Sequence, residues 1–418
     1  MTIAAAQNRI THLASQTAVH RTFHWLHLHQ PQLRQWLLDV VRIPAPPFAE
    51  QARAAWMLDR FHQLDLSNAH IDEAGNALAE ISSESPADSP VILISAHLDT
   101  VFPAGTSCEP IAPPDTSRIY APGICDNAAG LTGLLAIVAA LKHANISPPV
   151  SILFAANVGE EGEGDLRGMR HLFERSPYAN RIAAALILDG SGSSAAVTRA
   201  LGSLRFRITV TGPGGHSWSD AGAPNPILIL SQTLLQLAAI PLPSDPLTTL
   251  NVGSISGGTS INSIPESATA LLDLRSEDPV QLTRTAAQIR EIADSVLPSA
   301  SPRFTHHSPK ISIETIGNRP AGALDPHSPI LHALRAVDRH LNIRTELRLG
   351  STDANIPIAK GIPALALGTG GIGGGIHTLQ EWYDPTGRET ALRRILLTLL
   401  DIVQTTSEAA TLLPTHRV

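Results

Sequence analysis

The stretch whose reading decides the fold is VILISAHLDTVFP, Val91 to Pro103. A β-branched, apolar run closes on a polar pair, His97 and Asp99, as a buried strand does when it delivers functional groups at its carboxyl end. Open α/β sheets bind their ligands at that end. Residues two apart on an extended chain face the same way. The Asp99 carboxylate is therefore expected to accept the N–H of the His97 imidazole and leave the other ring nitrogen free for a metal. Alone, the triplet describes a satisfied buried histidine equally well, so its meaning depends on what else reaches the same place.

Three more apolar runs, Val150–Ala156, Ala183–Leu188 and Ala364–Leu367, read as neighbouring core strands, with helical patterns such as Leu131–Leu141 and Leu166–Phe173 between them. That alternation predicts an α/β domain around a mostly parallel sheet. Ahead of it, Leu33, Trp36, Leu37, Val40 and Val41 recur at helical spacing, IPAPP interrupts them, and a second helix follows to about Phe61. From residue 201 to 318 the texture changes. Arg205–Val210 alternates as a strand, Pro226–Ile240 is an apolar helix, Leu250–Ser256 and Ala268–Arg275 are strands, Pro279–Leu297 is an amphipathic helix and Lys310–Ile316 a last strand. The order βαββαβ is that of a ferredoxin-like α+β sandwich. Sheet strands lie on both sides of it, so a larger domain, 1–200 and 319–418, is expected to carry residues 201–318 as an insertion.

Each core strand leads to a residue that binds metals or moves protons. The first gives His97. GICDNAAG then places Asp126 before a helix, where it reads by position as a capping carboxylate, with Asn127 also available as the cap. The second strand enters NVGEEGEG, with Glu160 and Glu161 side by side; such a pair is usually just solvated, but beside a metal one carboxylate binds while the other stays free as a base. LILDGSG puts Asp189 at the same rim, and GTGGIGGGIHTLQEW leads to His377. Two histidines and three carboxylates suit two zinc ions sharing one carboxylate, with bonds of about 2.0–2.2 Å. Two ions about 3.5–4 Å apart can hold the attacking and departing oxygens together.

Composition narrows the classes. At 418 residues, 43% hydrophobic and 16% charged, the chain reads as globular and soluble. Its net charge of −7 without basic clusters argues against nucleic acid and anionic membrane as partners. Cys108 and Cys125 are its two cysteines and form no CxxC pair, so thiolate metal sites and disulfide scaffolds are not expected. The N-terminus MTIAAAQNRI lacks a basic-then-apolar leader and no apolar run is expected to reach the length needed to span a bilayer, which makes cytoplasmic residence the expectation.

The motifs SAHLDTV, GICDNAAG, GEEGEGDLRG, LDGSG and GGGIHT resemble those of the co-catalytic zinc peptidase family that includes peptidase T, glutamate carboxypeptidase, succinyl-diaminopimelate desuccinylase and the aminoacylases. The resemblance runs from about Gln32 through the insertion. It implies a zinc-exopeptidase-like catalytic domain with an inserted lid or dimerisation domain. It further implies that Asp126 bridges two Zn²⁺ ions, that His97 and Asp189 complete one site and Glu161 and His377 the other, that Asp99 orients His97, and that Glu160 is the general base. Cobalt or manganese would fit the same donors. In the insertion, TGPGGHSWSD and GGTSINSIPESATALLDLRS match family segments. By resemblance His216 reaches into a partner's active site in dimeric relatives, while Asn262 and Arg275 contact the substrate.

The implied activity is hydrolysis of short peptides by an exopeptidase that works as a homodimer through the insertion. Asp at position 189 resembles members acting at a free amino end, so an aminopeptidase or tripeptidase is expected; an N-acyl-amino-acid deacylase or carboxypeptidase with the same site is the alternative. From another class, a catalytically silent binding or dimerisation module would keep the fold without turnover. Four features are set aside. GTGGIG, within Gly368–Gly373, matches a dinucleotide fingerprint but opens into His377 rather than a helix. Cys125 reads as a packed residue. Asp353, in GSTDANIP, reads as a helix cap or a substrate contact. His20, His24 and His27 share a helix face, as exposed histidines often do.

Overall fold

Strands Ser151–Asn157, Val91–His97, Ile182–Leu188 and Ala364–Leu367 lie side by side and parallel in the computed structural model, which describes residues 3–86, 88–297 and 308–412. Their residues split between two apolar layers by parity. Ile92, Ile94, Ala96, Ile152, Phe154, Ala156, Leu186 and Leu188 join one cluster, while Val91, Leu93, Leu153, Ala155, Ala185 and Ile187 join the other. With helices on both faces every position of these strands except Ala183 is buried, which is why they read as continuous apolar runs instead of alternating ones. Gly130–His143 and the N-terminal helices pack on the first face, Arg167–Glu174 and Asn355–Ala359 on the second.

The sheet is mixed at its margins. Ala77–Ile81 pairs antiparallel with Ser151–Asn157 and carries Ser67–Ile71 outside it. On the other flank Ala195–Ala200 runs antiparallel to Ala364–Leu367 and parallel to Glu346–Gly350. These strands lack the apolar runs of the centre: Ser67–Ile71, Ala195–Ala200 and Glu346–Gly350 are partly exposed, and the buried Ala77–Ile81 is short and interrupted by Glu80. Four helices, Ile3–Ser15, Thr17–Leu28, Gln30–Val41 and Gln51–Gln63, precede the first strand. Contrary to the expectation that no apolar run reaches that length, the stretch Ile124–His143 is long and apolar enough to cross a bilayer; it is buried inside the fold, where its greater part is the core helix Gly130–His143.

The chain divides into one unit of Met1–Ala200 with Ala323–Val418 and another of Leu201–Gly322. The smaller unit has a four-stranded antiparallel sheet in the order Thr248–Gly257, Ser267–Ser276, Gly202–Thr211, Lys310–Arg319. This is the ferredoxin-like arrangement. Phe206, Ile208 and Val210 point into its core while the residues between them face outward. Both of its helices start on the same device. Asn225 before Pro226 and Asp278 before Pro279 each accept a main-chain N–H, from Ile227 at 3.0 Å and Val280 at 2.8 Å, and proline fills the position whose N–H would go unused.

The central layer is tested at Phe154, which is fully buried. Phe154→Ala is expected to cost about 3–5 kcal/mol, read as a lowered urea midpoint of the larger unit. A change below about 0.5 kcal/mol, the range of ordinary surface substitutions, would contradict this packing.

Candidate metal centre

The four parallel strands end level with one another: His97 lies opposite Asn157, and Leu367 opposite Leu188. Whatever follows each strand therefore arrives at one rim. His97 is a strand's last residue, Glu160 and Glu161 follow Asn157 at short distance, and Asp189 directly follows Leu188. Asp126 comes from the turn that opens into helix Gly130–His143, where its backbone leaves the helical region and a cis peptide joins it to Asn127. His377 comes from the long loop after Ala364–Leu367 and has a left-handed backbone (φ 64°), a conformation disfavoured for a residue with a Cβ.

All five candidate ligands meet. His97 Nε2 is 3.0 Å from Asp126 Oδ1 and 3.9 Å from Asp189 Oδ1. His377 Nε2 is 3.1 Å from Asp126 Oδ2 and 3.1 Å from Glu161 Oε1. Each oxygen of Asp126 thus faces a different histidine, and each histidine has a second carboxylate beside it. Ligand atoms on one tetrahedral zinc, with bonds of about 2.0–2.1 Å, stand about 3.3–3.4 Å apart. The observed separations bracket that spacing, so the donor set fits two ions sharing Asp126. His97, Asp126 and Glu161 alone bring three ligand atoms within 4.8 Å of one another.

The charges agree. Burial disfavours the charged form of His97, yet the carboxylates of Asp126, Asp189 and Asp99 raise its pKa well above the ordinary value. Hydrogen bonds to Asp126 and Glu161 lift His377 to about 10 against some burial. Burial pushes Asp126 up, but His377 and His97 outweigh it and hold the group far below the usual carboxylate range. A cation at this place would balance the same three carboxylates.

Asp99 departs from expectation. The His97 Nδ1–H donates to the main-chain oxygen of Asp99 at 3.1 Å, and the carboxylate is 3.6 Å away. Its two oxygens are taken by the N–H groups of Glu160 at 2.9 Å and Glu161 at 2.7 Å. Asp99 thus orients the imidazole through its backbone, while its side chain holds the loop of the paired glutamates. Asn127, buried, joins the Asp126 turn to the Asp189 segment: its Oδ1 accepts from Gly130 and Gly190, both at 3.1 Å, and its Nδ2 donates to the Leu188 oxygen. A Cβ on Gly130 would overlap this amide. Glu381, which no motif singles out, is fully buried and accepts from Gly123, Cys125 and Asp126. The available signal was an acidic residue four places past His377 beside Trp382 and Tyr383.

The insertion's candidates split. His216 and Asn262 are neighbours on two paired loops: Ser263 lies opposite His216, and the Ser217 N–H donates to the Asn262 oxygen. The N–H of Trp218 donates to His216 Nδ1 at 3.1 Å. Arg275 lies at the other end of the sheet, eight residues beyond Ser267, or roughly 26 Å along a strand. There it pairs with Asp273 at 2.6 Å.

The set-aside features resolve as well. GTGGIG runs into strand Ile372–Gly374, with no helix. His20, His24 and His27 line a cleft of about 700 Å³ with His340 and Arg393; among the described residues their nitrogens form no three-ligand group. Asp353 is fully buried and accepts from Asn157 Nδ2 at 2.6 Å, while the helix Asn355–Ala359 has no side-chain cap, and burial pushes Asp353 up to about 7.

Zinc titration of metal-free protein is expected to release protons, with affinity rising from pH 6 to pH 8, because an ion must displace the protons held on His97 and His377. Calorimetry in buffers of different ionisation enthalpy measures this; a pH-independent affinity would contradict it. Burial pushes the Cys125 thiol up to about 12. It should therefore resist iodoacetamide at pH 8 until the protein is unfolded, as mass spectrometry of the alkylated peptide would reveal.

The chain spans about half the length of the curated relatives it matches: a probable carboxypeptidase of Aspergillus flavus is 31% identical over 205 residues, 45% of this chain and 47% of that protein. The fold is that of aminopeptidase PepT from Bacillus cereus (TM-score 0.69, 19% identity, 89% of this chain and 98% of that one). It is equally that of a dinuclear metal binding peptidase of the M20 family from Bacillus subtilis (TM-score 0.64, 15% identity, 90% and 98%). The model of peptidase family M20/M25/M40 matches residues 93–404, about three quarters of the sequence and the whole span from His97 to His377, and the chain belongs to that family.

Proposed function

We propose that this chain is a dizinc exopeptidase that removes the amino-terminal residue of short peptides. The observation supporting it most is Asp126, with one carboxylate oxygen toward His97 and Asp189 and the other toward His377 and Glu161. When bound, the ions would polarise the scissile carbonyl and acidify the attacking water. Glu160, buried at the same rim on a loop tied by Asp99, takes the proton from that water and returns it to the leaving amine. No nucleophilic side chain is needed. A pocket of about 240 Å³ beside Asp126 and Asp189, lined by Ala195, Val197, Ile376 and Arg348, offers room for a substrate side chain.

Action at a free amino end is supported by Asp at position 189 and by the fold shared with aminopeptidase PepT. A second reading, a carboxypeptidase or N-acyl-amino-acid deacylase on the same site, is favoured by the probable carboxypeptidase of A. flavus. The zinc-loaded protein, assayed on a tripeptide, its N-acetyl form and its C-terminal amide, separates the two. Cleavage of the tripeptide and the amide, abolished by chelator, is expected; cleavage of the N-acetyl form alone would reverse the assignment. Glu160→Gln is expected to lower kcat by about 10²–10⁴-fold with metal content unchanged. Two bound zinc ions without turnover of any short peptide would favour a silent binding module.

We also propose a homodimer formed through the insertion. Strand Thr248–Gly257 is an open sheet edge with Val252 and Ile255 exposed, and helix Pro226–Ala238 exposes Leu228 and Leu235. Such an edge needs cover. A tripeptide spans only about 10 Å, so His216 and Asn262 on one side and Arg275 on the other cannot meet one substrate from a single insertion. Two free, buried cysteines suit a reducing compartment such as the cytoplasm. Ile255→Lys should shift the protein toward monomer in sedimentation equilibrium; a wild-type chain that sediments as a monomer would exclude the dimer.

A further inference from the structure

Glu381 is fully buried, and its carboxylate has three partners, all main-chain N–H groups of one turn. Oε1 accepts from Cys125 at 2.8 Å and Asp126 at 2.9 Å, and Oε2 accepts from Gly123 at 3.0 Å. No ammonium, guanidinium or imidazole among the described residues joins them. Its main-chain oxygen accepts from Ala121 at 3.1 Å, so side chain and backbone together grip residues 121–126. Just beyond it, Trp382 and Tyr383 pair with Tyr120 and Ile119.

The grip sits where the backbone cannot satisfy itself. Asp126 and Asn127 leave the helical region inside the turn, so the N–H groups ahead of them have no regular helical acceptors. Buried donors need partners, and a single anion supplies all three. Glu381 also lies four residues past His377, in the loop that carries that ligand. It therefore couples the segment holding the shared carboxylate to the segment holding His377. Asp99 does the same between His97 and the N–H groups of Glu160 and Glu161.

We infer that Glu381 is a positioning residue that sets the direction of the Asp126 carboxylate and, with it, the spacing of two bound ions. This rests on the dinuclear reading proposed above. A glutamine at 381 would keep the volume but offer one acceptor oxygen and an NH₂ that opposes an N–H, so at least one of the three bonds fails. An aspartate would keep the charge and fall one methylene short.

The test loads metal-free wild type, Glu381→Gln and Glu381→Asp with Mn²⁺, checks folding by circular dichroism, and reads stepwise affinity and the electron paramagnetic resonance signal. Wild type should bind two ions with an exchange-coupled signal. The variants should lose about 10–100-fold in affinity for one ion and show the uncoupled signal of separate ions, with Glu381→Asp the milder. Folded variants with wild-type affinities and an unchanged coupled signal would overturn the inference. If wild type binds fewer than two ions, the dinuclear reading fails on its own account. The grip is then judged by hydrogen exchange of the wild-type amides of Gly123, Cys125 and Asp126, which also decides if neither variant folds. Protection supports it, and exchange as fast as in an exposed loop overturns it.

Discussion

The rim of this molecule depends on one shared carboxylate. Asp126 offers an oxygen to each of two histidines that reach it from strand and loop segments 280 positions apart in sequence, His97 and His377. Without a cation between them, carboxylates so close would repel, and burial would force protons onto them. The two imidazoles answer that charge, their pKa values raised by the carboxylates beside them. The same geometry that ties histidine to carboxylate is the geometry two ions require.

That organisation comes from main-chain donors. Asp99 and Glu381 are both buried carboxylates whose partners include N–H groups of a neighbouring ligand segment. Burial raises the pKa of Glu381 while the three N–H groups pull it down. Asn127 performs the uncharged version of the task between Gly130 and Gly190. Apart from the local bond to Gly130, each of these bonds crosses between segments that are distant in sequence, so ligand positions are set by the rim and not by the flexibility of any one loop.

Much of this was legible beforehand because apolar runs and their polar endings are local signals. Four central strands could be found since both their faces are buried, and the residue after each run followed directly. Strands such as Ser67–Ile71 and Glu346–Gly350 could not, being short, edge-placed and half-polar. The role of the Asp99 carboxylate was misread because an imidazole two residues away is the nearest donor in sequence, whereas the donors that win, Glu160 and Glu161, become neighbours only when two strands align. Glu381 escaped for the same reason. Arg275 and His216 belong to matching motifs, yet a strand holds them at opposite ends of one sheet, a separation no motif spacing reveals.

The central claim is that these side chains hold a pair of ions across Asp126. Crystals of the zinc-loaded protein measured at the zinc absorption edge address it most directly. Two anomalous peaks about 3.5–4 Å apart, one beside His97 and one beside His377 with Asp126 between them, are predicted. A single peak, or peaks remote from this carboxylate, would contradict it.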